Sequence, residues 1–438
     1  MLRFLLPSTF GVLLFLVPLS YNGEVTILVA VIAELLKEFL QDFTANIAVA
    51  IITLSAVITM GVSLFGIKLG RSVFLQHLFH VGAPWVILRV LGALLACMVV
   101  LGIGPDWLLS EATGSLVLHD LVSVILTYLF IAIILLPLLT DYGLMEYVGT
   151  LCSGVFRKVF GLPGRSCIDA LASWMGSGTV GVMITSQQFE RGYYSAREAA
   201  VISTNFSIVS IAFSLLVVKM IGLGHMFIPS YLTTVATGLV LALVMPHLPP
   251  LSRKKDDYLV DIGANEFEEI TDSTRLKSAW DNALTRAQHG PSLTQFVSSS
   301  SKNVMDIWFA LLPAVMAIGT VALIIAEQTP LFEWLAMPLV PLLEALSLPE
   351  ASKAALALML GFADMFLPAL VGRGIESELT RFVVVTVSIV QLIFISEVGV
   401  LILKSKIPLN LLELFIIFIL RTVIAVIMVT FIARTFLF

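Results

Sequence analysis

The chain has 438 residues, of which 58% are hydrophobic and 13% charged, with a mean hydropathy of +1.02 and a formal net charge of −5. Soluble domains carry about 25% charged residues, so this composition excludes a water-facing globular surface and makes lipid the solvent for most of the chain. The small negative balance, with no extended Lys/Arg cluster, excludes nucleic acid as a partner.

A membrane span needs about 20 mostly apolar residues to cross about 30 Å of hydrocarbon, and it must be helical because lipid offers no partner to backbone polar groups. Nine segments qualify: 4–20, 45–65, 83–103, 121–140, 197–221, 230–248, 304–326, 380–403 and 411–431. The first follows Arg3 as a signal peptide would, but it ends in Val17-Pro18-Leu19-Ser20 without an A-x-A-like cleavage site, so we read it as a membrane helix. Segment 25–43 carries Glu34, Lys37, Glu38 and Asp42 on an apolar background and reads as an amphipathic helix on the outer interface. Cys97, Cys152 and Cys167 lack CxxC spacing, which fits buried thiols better than a disulfide framework or a zinc site.

Lys and Arg in short loops mark the cytoplasmic side. That rule places the polar stretch 249–303 inside, as a partly ordered linker with its Ser298-Ser299-Ser300-Ser301 run. Arg157, Lys158, Arg165, Arg191, Lys68, Arg71, Lys404 and Lys406 then also fall inside, whereas Arg434 falls outside and runs against the map. The expected location is the inner (cytoplasmic) membrane of the cell, crossed many times.

Two stretches echo each other in order. Leu144-Met145-Glu146-Tyr147 matches Leu331-Phe332-Glu333-Trp334; Leu162-Pro163 matches Leu348-Pro349; Arg191-Gly192 matches Arg373-Gly374; Thr204 and Ser207 match Thr386 and Ser388. Each copy holds three spans, an odd number, and one cytoplasmic linker joins them, so the second copy is inverted relative to the first. The expected organisation is N-terminal helices over 1–120, a first repeat over 121–248, the linker over 249–303 and an inverted repeat over 304–438.

Each copy contains a short interrupted apolar segment. In the first, 165–189, the interruption is Met175-Gly176-Ser177-Gly178-Thr179; in the second, 353–371, it runs from Gly361 through Asp364 to Pro368. Flanks of about 11 residues make about 16 Å of helix, half a bilayer, so both read as re-entrant hairpins whose tips meet near the midplane. Interrupted segments in matching positions of two halves point to a transport site. The helix after each hairpin adds polar residues: Ser203, Thr204, Asn205 and Ser207 in the first; Thr386, Ser388, Gln391, Ser396 and Glu397 in the second. Such side chains compete for backbone hydrogen bonds and favour a local break.

Ionisable groups inside spans are costly and are functional candidates. Asp364 at the second tip is the strongest, and Glu397 joins it as a coupling residue. Arg421, in the last span, is a candidate partner for Glu397, and Asp169 for Arg165. Trp174 beside the first tip could stack on a flat solute. The solute-binding set is therefore Trp174, Ser177, Thr179, Ser203, Thr204, Asn205, Ser207, Asp364, Thr386, Ser388 and Gln391.

The run Asp169-Ala170-Leu171-Ala172-Ser173-Trp174-Met175-Gly176-Ser177-Gly178, the later Ser203-Thr204-Asn205, and Leu6-Pro7-Ser8-Thr9-Phe10-Gly11 resemble the nucleoside-recognition (gate) domain membrane proteins of the YjiH type. The order of elements is similar to that of concentrative nucleoside transporters. The resemblance implies an all-α membrane fold with two re-entrant hairpins, and a site carried by Ser177, Asn205, Asp364 and Ser388. The hairpins lack the Gln-Thr-Glu pattern of nucleoside transporters, and no GxxxxGK[ST] motif is present. The expected function is secondary active transport of a small polar solute: a nucleoside, amino acid or short peptide. Na+ or H+ would be the coupling ion, no cofactor is called for, and a homo-oligomer is compatible with the fold. The alternatives are a non-transporting gate-fold scaffold and a membrane enzyme. HExxH and GxSxG are absent and the six histidines are scattered, so the enzyme is not expected.

Overall fold

The structure is a computed structural model and describes residues 1–21, 24–40, 43–67, 72–175, 178–206, 209–260 and 275–438. Among these residues, seven helical stretches are long and apolar enough to cross a membrane: Phe43–Ser63, Ala83–Leu101, Asp106–Thr140, Gly224–Arg253, Leu293–Gln328, Glu378–Lys404 and Leu411–Phe436. They answer seven of the nine expected spans. The first expected span is instead the 14-residue helix Leu2–Phe15, about 21 Å long and short of the hydrocarbon thickness. The chain turns at its end into a two-stranded antiparallel ribbon, Pro18–Tyr21 against Glu24–Ile27, before the helix Leu28–Leu40. Segment 197–221 is two helices, Ala196–Asn205 and Ile211–Met220.

The chain forms two compact units. One comprises Val29–Leu135 and Leu293–Pro338. In it, Ala83–Leu101 packs against both Phe43–Ser63 and Leu312–Gln328. Its buried cation, Arg89, donates to Thr59 Oγ1 at 2.7 Å and to the Leu78 carbonyl at 2.9 Å, with Asp306 as the nearby charge. Gly92 is the point of closest approach: a Cβ there would lie 3.1 Å from the Pro313 carbonyl carbon and 3.3 Å from its Cα. The Ser298–Ser301 run, read above as linker, is helical within Leu293–Asp306. Ser300 is buried and donates to the Ile134 carbonyl of a neighbouring helix at 3.2 Å, so its small size and hydroxyl suit it to a helix–helix face.

The other unit comprises Met1–Leu28, Leu136–Ser292 and Leu339–Phe438. Phe4, Tyr147 and Trp280 form an aromatic cluster that joins Leu2–Phe15, Leu144–Val159 and Arg275–Gln288. The same order of elements then occurs twice. Ser166–Met175 and Gly178–Glu190 pack antiparallel, since Thr185 Oγ1 donates to Asp169 Oδ2 at 3.2 Å and Gly181 abuts Ser173. Ala351–Leu360 and Leu367–Gly372 likewise fold back, bringing Glu350 to the backbone N–H groups of Glu376 and Ser377 at 2.8 and 3.2 Å. A broken helix follows each hairpin, then a continuous one, Phe227–Val244 or Leu411–Phe436.

Local chemistry sets these ends. Ser195 and Glu198 form a reciprocal capping box at the start of Ala196–Asn205. Ser195→Ala should cost about 1 kcal/mol, measured as a lower midpoint of thermal unfolding in detergent. At the second hairpin, the Lys353 ammonium, 2.7 Å from Glu350 Oε2, and the Ser377 N–H hold the Glu350 carboxyl below the usual carboxylate range. A depressed acid stabilises above its ordinary value and loses that contribution as pH falls through its lowered value. The protection of the Glu376 and Ser377 amides, relative to their intrinsic exchange rates, should therefore fall as pH drops through that lowered value. In Glu350→Ala, which has no acceptor, protection should be low throughout and show no such step.

Candidate functional site

The two broken helices end in identifiable ways. In Ala196–Asn205, Ser203 and Thr204 donate to the Ala200 carbonyl at 3.2 and 2.7 Å, and Asn205 Nδ2 donates to Val201 at 3.1 Å. These back-bonds occupy the carbonyls of the last turn, and the helix restarts at Ser210, whose hydroxyl caps the Phe213 N–H. In the second copy, Glu378–Gln391 stops at Leu392, which takes a left-handed φ of 60°. The chain is then extended, and Ile395 and Ser396 donate their N–H groups to the carbonyls of Phe362 and Ala363 at 2.9 and 3.1 Å. The broken helix is thus bonded, backbone to backbone, to the second hairpin tip.

Described residues next to all four interruptions line one small gap of about 10 Å³, among them Gly178, Ser210, Phe213, Met365, Phe394 and Glu397, which is room for about one water. Asp364, next in the chain to the lining residue Met365, is fully buried. Its Oδ1 accepts from the Phe366 N–H at 2.9 Å. Ser396 lies beside Asp364, and Glu397 is close enough to interact with it electrostatically. Asp364 Oδ2, Glu397 Oε1 and Ser396 Oγ are all buried without a hydrogen-bond partner among the described residues. Two acidic groups with free oxygens in so small a space can share a proton or hold a cation between them.

A second cavity of about 230 Å³ opens beside the first hairpin. Trp174, Phe206, Leu239 and Leu392 line it, with Asn205 and Arg421. Trp174 Nε1 donates to Tyr231 Oη. Arg421 does not pair with Glu397. Its Nη1 donates to Asn205 Oδ1 at 2.6 Å, its Nη2 to the Val390 carbonyl at 2.7 Å and its Nε to the Val390 and Gln391 carbonyls at 3.1 Å. Those carbonyls are left without intrahelical partners at the end of Glu378–Gln391, so Arg421 caps the break. Asp169 takes Tyr194 Oη at 2.8 Å and Thr185, while Arg165 sits over the Tyr193 ring at 3.8 Å.

Of the expected site residues, Asp364 and Glu397 come together at the gap, and Trp174 and Asn205 line the larger cavity. Ser177 and Ser207 lie outside the described residues. Thr179 is half-buried in the first turn of Gly178–Glu190. Ser203 and Thr204 are turned back onto their own helix. Thr386 bonds Ser230 at 2.9 Å, Ser388 bonds the Val385 carbonyl at 2.8 Å, and Gln391 Nε2 bonds Leu358 and Thr422. Thr234 and Gly238, both on the larger cavity, were not expected; one face of an apolar helix carries no sign of an adjoining hollow. No group of three or more His, Cys, Asp or Glu side chains is placed to hold a metal ion among the described residues.

Seven long apolar helices among the described residues define a multi-pass α-helical membrane protein. Residues 122–224 match the family model described as "Nucleoside recognition", the gate domain. An uncharacterized protein of Alkalihalophilus pseudofirmus is 49% identical over 439 aligned positions, which cover all of this chain and 95% of that protein. The chain belongs to that protein's family and is a gate-domain membrane protein. No solved structure matches.

Proposed function

We propose that the chain is a secondary active transporter that carries a small polar solute across the cytoplasmic membrane by alternating access. The observation that carries this reading is that residues next to four helix interruptions line one gap beside the buried Asp364 and the half-buried Glu397, each of which has a buried oxygen without a hydrogen-bond partner among the described residues. Non-helical backbone at membrane depth is tolerated only inside protein or around a water-filled cavity, and matched interruptions in two halves border transport sites. In this reading the two copies are inverted repeats, and their folded-back helix pairs are re-entrant hairpins entering from opposite sides. Solute lies between Trp174, Ser177, Thr179, Asn205, Ser207 and the second tip, while Asp364 and Glu397 bind the coupling H+ or Na+. The gate domain's name suggests a nucleoside; an amino acid or short peptide fits the same polar surroundings. The chain is read as a carrier rather than an enzyme.

The test is uptake into proteoliposomes across a panel of nucleosides, amino acids and dipeptides under imposed H+ or Na+ gradients. Accumulation of one class that collapses with one gradient is the expected result. Uptake indifferent to both gradients would remove the coupling. A panel that produces neither uptake nor thermal stabilisation would leave a non-transporting scaffold as the better account.

A further inference from the structure

Arg421 combines features that its capping role does not use. It is fully buried, and among the described residues no carboxylate lies within ion-pair distance of it. Its acceptors are one amide oxygen and two backbone carbonyls. A guanidinium carries five N–H donors. Those bonds occupy Nε and one N–H on each terminal nitrogen, so each terminal nitrogen keeps one more to give. The end of helix Glu378–Gln391 supplies about half a negative charge there, and the remainder of a buried cation favours an anion.

The cavity that Arg421 borders is otherwise apolar. Phe156, Phe160 and Phe206 pack ring on ring with centroids 5.1–5.3 Å apart, and all three line it. Thr234, also on its wall, is 2% exposed, and its hydroxyl has no hydrogen-bond partner among the described residues. An unsatisfied hydroxyl and a guanidinium with donors to spare, at an aromatic hollow, form the two halves of an amphipathic receptor. The volume, about 230 Å³, lies below the roughly 300–1,000 Å³ of drug-sized sites, which limits the guest to a small molecule.

We propose that this cavity binds a small organic anion, a monocarboxylate with an apolar body, whose carboxylate meets Arg421 and Thr234 and whose body rests on Trp174 and the three phenylalanines. The inference rests on the transport reading only in taking this anion as the transported solute; binding itself requires no gradient.

The experiment is thermal stabilisation and tryptophan quenching of the purified full chain with octanoate and phenylacetate. Octanamide and phenylacetamide serve as uncharged counterparts, acetate as a head without a body, and palmitate as a lipid chain. The two acids should bind at least about tenfold more tightly than their amides, and acetate should be silent. Arg421→Gln should remove that preference, but it also strips a cap and could unfold the chain. Gly238→Phe avoids that risk. Gly238 lines the cavity, and a Cβ there meets nothing within 4 Å, so the ring should fill the hollow and abolish binding with the unfolding midpoint kept. Equal binding of acid and amide, undiminished binding in Gly238→Phe, or binding of palmitate alone would each overturn the proposal, the last by giving the cavity to a bilayer lipid. Binding without uptake would leave this site standing and remove the anion as the carried solute, while the transport reading stands or falls on the uptake panel described above.

Discussion

Asp364→Asn should abolish uptake, by at least about tenfold, while leaving the chain as stable as before or more so. Asparagine keeps the Oδ1 that accepts the Phe366 N–H at 2.9 Å, so the turn at the second hairpin tip survives. What it loses is the ionisable oxygen that no described group satisfies. An unpaired acidic group in a dry site costs folding free energy, so a neutral isostere should raise the unfolding midpoint even as it removes a ligand for H+ or Na+. Glu397→Gln should behave alike, because the two side chains interact across the same gap. The measurement is gradient-driven uptake beside thermal unfolding for each variant. Normal coupled uptake by Asp364→Asn would take that residue out of the mechanism.

Gly92→Leu should damage the fold. The contact made by a new side chain is with the backbone of Pro313, which cannot rotate away as a flexible side chain would. The helices Ala83–Leu101 and Leu312–Gln328 would have to separate along their shared face. Overpacking of this kind costs about 1–3 kcal/mol, and the loss should appear as aggregation or a lowered midpoint in detergent. Gly238→Ala is the control: that position faces open space, and alanine in a helix interior is favoured over glycine by about 0.5–1 kcal/mol. Equal stability of Gly92→Leu and the unaltered chain would mean that this helix pair is not held at that contact.

Much of the architecture is legible from apolar run length. Segment 83–103 reads within two residues of Ala83–Leu101, because the run starts at a Gly82/Pro84 N-terminus and stops where Gly102 takes a left-handed φ of 64°. The first broken helix is legible too: its polar cluster back-bonds, and the helix ends at Asn205. The second break falls within the span of its polar residues, between Gln391 and Ser396, but on none of them. Thr386, Ser388 and Gln391 are all helical, and the interruption falls on Leu392, Ile393 and Phe394. Its cause is tertiary, since the N–H groups beyond it are claimed by carbonyls of the hairpin tip, and no local pattern announces that. Arg421 went astray for the same reason. A sequence displays acidic side chains as partners for a cation, but it does not display carbonyls that a distant break has exposed. The short first helix was overread because apolar residues continue into a strand.

The main-chain bonds from Ile395 and Ser396 to Phe362 and Ala363 bear on how the protein would change shape. A flap hinged at its base swings freely only if its far end is unattached. Here the far end is sewn to the neighbouring segment by hydrogen bonds that no side-chain substitution removes. Hairpin and split helix should therefore travel as a single piece, so that a cysteine bridge between positions 363 and 396 would be carried along without stalling the cycle.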